Sequence, residues 1–275
     1  MACPGRDNAS PERTGGRRRV ELTLMSFRLR MLGIHLLASA CVLSLVLGGM
    51  FLGWYRWPGW YLAGAGTVSL VVAGVDLALG PCLTGIIASP TKPRRELARD
   101  IAIIASIQLL ALGYGSFRLW EGRPLYYAFS ENMLQLVQAY DIDGPERDLA
   151  LQRNPDLAPH WYDRPRWIWA PLPDDPAENS RILQAAIAGG TDVIGMPRYF
   201  HPWEQGAEAL RAQLQPVGKI RFLGLAEQKR AARRMQDAGL SPDHPNAIFF
   251  LGRGKRLLAV FEPTTLRLIT LIRVD

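Results

Sequence analysis

The fold is decided by one apolar stretch near the N-terminus, Met31–Trp54, which has the sequence MLGIHLLASACVLSLVLGGMFLGW. This stretch contains 24 residues and no formally charged side chain, whereas a helix that crosses a bilayer needs about 20 mostly apolar residues. It is longer than the apolar core of a usual signal peptide, and no A-x-A cleavage pattern directly follows it. We therefore predict a first transmembrane helix that remains part of the mature chain.

Two further apolar runs predict two more transmembrane helices. Trp60–Ser89 carries one formally charged residue, Asp76. Ile101–Phe117 has 17 residues, which is close to the shortest length that spans a bilayer. The alternative for this third run is a buried helix of a soluble domain. The prediction of a span is favoured because the two preceding spans would leave the charged segment Arg94–Asp100, just before this run, at a membrane surface. Three spans within residues 31–118 are the prediction.

The charge distribution also points to a membrane and predicts an orientation. Residues 1–118 hold 13 Lys and Arg against 6 Asp and Glu, whereas residues 119–275 hold 19 of each. Such a basic chain often binds nucleic acid, but here the basic residues flank apolar runs. We therefore expect the lipid bilayer, and no nucleic acid, as a partner. Basic loops stay in the cytoplasm, and the first loop holds only one basic residue, Arg56. The N-terminus is therefore predicted in the cytoplasm, and residues after about Arg118 are predicted on the other side of the membrane.

Residues 1–30, which precede the first span, are predicted to form a disordered basic cytoplasmic arm. The first 24 residues are rich in Gly, Pro and Arg and show no apolar period. Met25 is a reasonable alternative start codon, so the sequence leaves open whether translation begins at Met1 or at Met25.

Three polar residues inside the spans are candidate functional residues: Asp76, Gln108 and His35. A carboxylate inside a bilayer costs about 2.5–3.5 kcal/mol on insertion scales, so Asp76 should face protein or water. Counting about 1.5 Å per helical residue places Gln108 and His35 within about 6 Å of its depth. We expect a hydrogen-bonded Asp76–Gln108 or Asp76–His35 pair. A proton or ion site is the alternative, but it needs a relay of several ionisable groups.

Residues 119–275 are long enough for one soluble domain. Prolines crowd the segment Pro145–Pro176, which predicts an extended loop. The predicted strands are Leu125–Phe129, Met133–Ala139, Ala247–Leu251, Arg256–Glu262 and Leu266–Val274. The predicted helices are one that begins after Asp175, Trp203–Leu214 and Leu225–Ala238. This order of strands, helices and strands predicts an α+β domain.

The first of these helices carries the clearest start signal. Asp175 is the predicted N-cap and Glu178 completes a D-x-x-E capping box. Gly189 and Gly190 end the helix. Its predicted apolar face consists of Ile182, Leu183, Ala186 and Ile187.

A search for catalytic patterns finds none of the motifs G-x-S-x-G, H-E-x-x-H or C-x-x-C in the sequence. The segment Gly252–Lys255 lacks the spacing of a phosphate-binding loop and is better explained as a tight hairpin turn. The histidines outside the spans lie in proline-flanked loops without metal-ligand spacing; they are His160, His201 and His244. We therefore expect no catalytic residue, no metal and no other cofactor, and hence no enzyme.

A set of residues stands in a fixed order across the three spans and just after them: Gly33-Ile34-His35-Leu36-Leu37, Gly74-Val75-Asp76, Leu79-Gly80-Pro81, Gln108 and Arg123-Pro124. This ordered set resembles the TfpX/TfpZ family of type IV pilin accessory proteins. The resemblance is close over about Arg28–Ile142. Its motif positions outside the polar cluster are Gly80, Pro81, Arg123, Pro124 and Asp141. A Pro-Arg-Tyr-x-x-Pro element at Pro197–Pro202 also resembles the family.

The resemblance implies a bacterial inner-membrane protein that binds a type IV pilin and assists pilus assembly, as a chaperone or a modulator. Its partner would be the pilin subunit, held through the pilin's transmembrane helix and periplasmic head. The complete expectation is three transmembrane helices followed by a periplasmic α+β domain. Two alternatives remain: a membrane-anchored periplasmic binding module unrelated to pili, and a small transporter or enzyme that uses Asp76. The identity of the pilin, the step that is assisted and the oligomeric state stay open.

Overall fold

The computed structural model describes residues 12–274, with side chains described from residue 21 onward. Its contacts divide the chain into two compact units. The first, here called the helical unit, comprises Met1–Gly48 and Ser69–Ser116. The second, here called the sheet unit, comprises Gly49–Val68 and Phe117–Asp275. The loop between the first two predicted spans therefore belongs to the sheet unit.

Within residues 12–274, three helical segments are long and apolar enough to cross a membrane, judged by length and composition, as the sequence predicts. They are Glu21–Gly53, Ala65–Ile87 and Arg94–Glu121. The first lies within helix α1 (Glu12–Gly53), and the third is helix α5 (Arg94–Glu121). The second consists of α3 (Ala65–Gly74), a π-helical segment (Val75–Leu79) and α4 (Gly80–Ile87).

The structure corrects the prediction of a disordered arm over residues 1–30. Helix α1 begins at Glu12, so residues 12–30 are helical and continue directly into the first span. Arg, Leu, Met and Glu in this segment are good helix formers, and extending an existing helix avoids the cost of nucleating one. Residues 1–11 of the predicted arm lie outside the described residues.

The second apolar run is not one continuous helix. It contains the short helix α2 (Gly59–Leu62), and a turn at Gly64, with φ of 67°, separates α2 from α3. Tyr61 and Leu62 are buried among core residues of the sheet unit. The apolar character of this stretch therefore has two causes, a span from Ala65 onward and a buried loop before it.

Inside the helical unit, Leu43, Val72 and Leu112 form a small core with neighbouring aliphatic side chains. A Cβ atom at Gly115 would lie 2.2 Å from Cγ2 of Val72, so glycine allows the close approach of α5 to the second span.

The sheet unit contains one mixed seven-stranded sheet with the strand order β4-β3-β1-β2-β5-β6-β7. The strands are β1 (Pro124–Ser130), β2 (Met133–Gln138), β3 (Arg166–Trp169), β4 (His201–Pro202), β5 (Ala247–Leu251), β6 (Arg256–Phe261) and β7 (Leu268–Arg273). The pairs β1–β3 and β2–β5 are parallel, and the other pairs are antiparallel. The helices are α6 (Gly144–Arg153), α7 (Pro176–Ile187), α8 (Ala207–Gln213) and α9 (Leu225–Asp237).

Both faces of the sheet are buried. Tyr127 and Phe129 of β1 point into a core that also contains Tyr61, Leu62 and residues of α8, whereas Tyr126 and Ala128 point into a second core. This alternation follows from the two-residue period of a strand. On the far half of the sheet, α9 covers the face that β5, β6 and β7 present.

The α+β prediction and the five predicted strands agree with the structure, but the extended loop predicted over Pro145–Pro176 is wrong in part. Asp143 caps helix α6 by accepting the N–H of Glu146 at 2.7 Å, and proline is tolerated in the first turn of a helix. Strand β3 lies later in the same segment and buries Ile168 in parallel pairing with β1.

Helix α7 begins as predicted, and Asp175 accepts the N–H of Ala177 at 3.1 Å. The carboxylate of Glu178 does not complete the predicted capping box; it accepts hydrogen bonds from Tyr199 and Arg181. The predicted apolar face is wrong in part, because Ile182 is buried while Ile187 is 88% exposed.

Candidate functional site

The candidate site is a chain of hydrogen bonds within the helical unit that joins α1, α4, α5 and the π-helical segment. Nε2 of His35 lies 2.7 Å from Oε1 of Gln108, and Nδ1 of His35 lies 2.5 Å from Oγ1 of Thr84. An amide oxygen can only accept, so Nε2 is the donor, and in a neutral ring Nδ1 then accepts from the Thr84 hydroxyl. Nε2 of Gln108 donates onward to the backbone carbonyl of Asp76 at 3.0 Å.

The role of Gln108 follows from the backbone around Pro81. The N–H of Gly80 donates to the carbonyl of Val75, which is the five-residue spacing of a π-helix. The next donor in that series would be residue 81 and its acceptor would be Asp76, but proline has no N–H. The Gln108 side chain supplies the missing donor, so a buried backbone carbonyl inside an apolar helix is satisfied.

Glycine is required beside this bond. A Cβ atom at position 80 would lie 2.1 Å from Nε2 of Gln108 and 2.2 Å from its Cδ. Gly80, Pro81 and Gln108 therefore act together: proline leaves a carbonyl unpaired, glutamine pairs with it, and glycine leaves room for the glutamine. This gives a physical reason for two of the family-motif positions that the sequence analysis named.

The structure brings the three predicted polar residues together, but with different bonds from those expected. Gln108 contacts Asp76 through the backbone carbonyl, and His35 contacts Gln108. Residue Asp76 is only 4% exposed, and its side-chain Oδ1 has no hydrogen-bond partner among the residues that the structure describes. A buried polar atom without a hydrogen-bond partner lowers the stability of the fold, and such atoms are rare in native proteins.

Two polar residues of this site were missed by the sequence analysis. Thr84 contacts His35, and the hydroxyl of Ser39 lies 3.4 Å from Nε2 of Gln108. A signal for Thr84 was present, because Asp76, Gly80 and Thr84 follow one another at four-residue spacing and thus lie near one another along one helix side.

A partly open groove of about 320 Å³ lies beside the polar chain. Its walls are mainly apolar residues of α1 and α5, such as Ala38 and Ala105, and the polar residues His35, Ser39 and Gln108 of these helices also line it. Asp76 and Thr84 of the second span also line it. The arrangement is an apolar groove with a small polar region, which is the usual composition of a ligand-binding site.

The remaining family-motif positions lie in the sheet unit, where they shape the start of β1 and the end of β2. Arg123 is buried, donates to the carbonyl of Trp120 at 2.8 Å and stacks over that ring at 4.6 Å. Pro124 is the first residue of β1. Asp141 accepts the N–H of Gln138 at 2.8 Å, and burial raises the pKa of its carboxyl group. These residues stabilise the backbone of the domain, and their described contacts form no second site.

The Pro197–Pro202 element contains a buried ion pair. Nη1 of Arg198 lies 2.6 Å from Oε1 of Glu146, and the two side chains are 9% and 12% exposed. Glu178 accepts a hydrogen bond from the hydroxyl of Tyr199, and this bond lowers the pKa of the carboxyl group. The element thus joins α6 to α7.

Among the described residues, the helical unit and the sheet unit together define a class: a chain with three helices long and apolar enough to cross a membrane, and an α+β region. Two proteins of Dichelobacter nodosus are similar over most of their length. "Fimbrial assembly protein, serogroup I" is 32% identical over 220 residues, which cover 78% of this chain and 82% of the relative. "Fimbrial assembly protein, serogroup E1" is 31% identical over 229 residues, which cover 82% and 85%. The chain belongs to the family of fimbrial assembly proteins.

A third relative, "Fimbrial assembly protein, serogroups C1 and C2" of the same organism, is 32% identical over 116 residues, which cover 42% of this chain and 88% of the relative. No family model and no solved structure matches the chain. The comparisons support the pilus-assembly part of the resemblance described above, while its narrower TfpX/TfpZ assignment stays a prediction.

Proposed function

We propose that this chain is a TfpX/TfpZ-like accessory protein that binds a type IV pilin in the bacterial inner membrane and assists pilus assembly without a catalytic step of its own. The observation that carries the proposal is the similarity to fimbrial assembly proteins. An alignment of 220 residues is longer than either unit, so the similarity includes parts of both.

The architecture supports a holding role. A pilin subunit that waits in the membrane has one apolar helix and one head outside it. A chain with apolar helices and an α+β unit offers one binding surface for each part. Two weak contacts on one partner strengthen each other through effective concentration, so the pilin can be held and still be released when assembly begins.

The proposal includes an orientation. The basic residues that flank the spans favour a cytoplasmic N-terminus and a periplasmic sheet unit. In that orientation the sheet unit would meet the pilin head on the side of the membrane where the pilus grows.

The proposal is tested in a strain that lacks the gene. Surface pili are sheared off and quantified, and total pilin is measured in the same cells. We expect reduced surface pili and full recovery when the full-length chain is supplied. Unchanged piliation in the deletion strain, with no pilin crosslinked to the intact chain, would refute the proposal.

A binding measurement separates this function from that of an unrelated binding module. The tagged full-length chain is crosslinked in intact cells, purified and probed with an antibody against the strain's own pilin. An abundant inner-membrane protein with a similar tag is the control. Recovery of pilin with this chain, and not with the control, is the expected result.

A further inference from the structure

The carboxyl group of Asp76 is a buried hydrogen-bond acceptor in the middle of the second span. It is the middle residue of the segment Ala65–Ile87, it is 96% buried, and its Oδ1 lacks a partner among the described residues. The neighbouring polar groups are already engaged, since Gln108 contacts His35 and the Asp76 backbone, and His35 contacts Thr84. One acceptor in the cluster therefore remains unsatisfied.

The groove gives this acceptor access to a partner. Asp76 lines the groove together with apolar residues of α1 and α5. The torsion of a carboxyl group about its Cβ–Cγ bond is soft and roughly two-fold, so rotation exchanges the positions of the two oxygens of a residue that lines the groove. A ligand that fills this space needs an apolar body and one hydrogen-bond donor.

The depth of Asp76 restricts the source of the donor. The hydrocarbon core of a bilayer is about 30 Å thick, so its centre lies about 15 Å from either headgroup layer. A lipid headgroup cannot reach a residue at the middle of a span, and an acyl chain has no donor. A side chain on another transmembrane helix meets both requirements.

We infer that the groove beside Asp76 binds the flank of a partner transmembrane helix, and that a hydroxyl group on that helix donates to the Asp76 carboxyl group. Hydrogen bonds between membrane helices are worth about 0.6–2 kcal/mol, which corresponds to about 3- to 30-fold in affinity. The inference does not depend on the partner being a pilin, because the groove and the unpaired oxygen belong to this chain alone.

The test uses the full-length protein reconstituted in phosphatidylcholine vesicles and two synthetic single-span helices of Leu and Ala. The helices differ at one central position, which is Ser in one and Ala in the other. Association is measured by energy transfer between a dye on the peptide and a dye on the protein. We expect the Ser peptide to bind at least about threefold more tightly than the Ala peptide.

Two variants test whether Asp76 causes the preference for the Ser peptide. Asp76→Asn keeps an acceptor oxygen, so the preference for the Ser peptide should persist. Asp76→Leu removes the acceptor, so the preference should vanish. If the Asp76→Leu protein does not accumulate in cells, the wild-type and Asp76→Asn proteins still test the inference. Equal binding of both peptides by these two proteins overturns it.

A crosslinking measurement locates the peptide. A photoreactive residue at Ala105 lies in the groove, whereas the same residue at Leu110, on the same helix, lies at an exposed apolar position that does not line the groove. We expect the Ser peptide to be captured from position 105 and not from position 110. Equal capture at both positions, or a preference for Ser that survives in Asp76→Leu, contradicts the inference.

Discussion

The backbone N–H of Arg253 donates to the carbonyl oxygen of Leu62 at 2.7 Å. Leu62 is the last residue of α2, in the loop between the first two spans, and Arg253 lies in the turn between β5 and β6. Gly252 packs directly against the same loop. A loop that looks in sequence like part of a span is thus a structural part of the sheet unit.

Gly252→Ala should destabilise the sheet unit by about 1–3 kcal/mol, the usual cost of overpacking a close contact. A Cβ atom there would lie 2.5 Å from the carbonyl oxygen of Leu62 and 2.8 Å from its Cα. The check is chemical denaturation of the full-length protein in detergent micelles. Gly218→Ala is the matched control, because no described atom lies within 4 Å of its new Cβ. Equal stability of both variants would contradict the close contact.

Gly80→Ala should destabilise the helical unit by about 1–3 kcal/mol, the usual cost of overpacking, because the new methyl group displaces the amide that bonds His35 and the Asp76 carbonyl. The same substitution on a Gln108→Ala background should cost clearly less, since no amide is left to displace. Thermal unfolding in detergent measures both. Gly74→Ala, in the same span, has open space around its new Cβ and serves as control. Strict additivity of the two changes would refute this explanation of Gly80.

Arg198→Leu should destabilise the sheet unit by about 3–5 kcal/mol, because it leaves the buried carboxylate of Glu146 without its cation. The double variant Arg198→Leu, Glu146→Leu should recover a large part of that loss, since the buried carboxylate is gone and Glu178, the second partner of Arg198, keeps its ion pair with Arg181. Arg181→Leu, which removes an exposed arginine, should change the free energy of unfolding by about 0.5 kcal/mol or less. Urea denaturation of the full-length chain is the measurement. A double variant that is no more stable than Arg198→Leu contradicts the prediction.

Stability should depend on pH through Asp141. Burial raises the pKa of this carboxyl group in the folded chain above its ordinary value of 3.8. The folded state therefore binds the proton more tightly than the unfolded state. Stability falls as the pH rises from about 4 to the raised pKa, and is level above it. Asp141→Asn does not titrate, so its stability relative to the wild type should increase over this window and then stay constant. Parallel curves for the two proteins from pH 3.5 to 8 would show that Asp141 does not contribute.

The topology prediction is an N-terminus in the cytoplasm and a sheet unit in the periplasm. A reporter enzyme that is active only in the periplasm is fused after Asp275 or inserted at Pro93, in the loop between α4 and α5. The fusion after Asp275 should be active and the insertion at Pro93 inactive. The reverse pattern would place the sheet unit in the cytoplasm.

Local signals explain which parts of the fold could be predicted from the sequence. The span that begins at Met31 is visible because hydropathy over about 20 residues is a property of the segment itself. The hairpin at Gly254 is equally local, since its φ of 67° suits glycine. The helix α6 was missed because the prolines around it masked the N-cap at Asp143, although proline is favourable in a first helical turn.

The candidate site could be predicted only in part. Counting helical depth placed His35, Asp76 and Gln108 at one level, and the structure brings them together. The bonds themselves could not be predicted, because the π-helical segment changes which backbone carbonyl is left unpaired and Pro81 removes the donor that would pair with it. Thr84 is different, because its four-residue spacing from Gly80 is a signal that the sequence carries.

The sequence alone determined three apolar helices, an α+β region and the residues at one depth in the spans, because hydropathy, periodicity and cap residues act over short distances along the chain. Only the tertiary structure decided that Leu62 joins the core of the sheet unit and that Arg198 pairs with Glu146. It also decided that Gln108 donates to the backbone carbonyl of Asp76, while Oδ1 of the Asp76 side chain has no partner in the part of the chain that the structure describes. These facts depend on which surfaces meet across long sequence separations. Such pairings are set by the packing and hydrogen-bond satisfaction of the whole fold, which no single segment specifies.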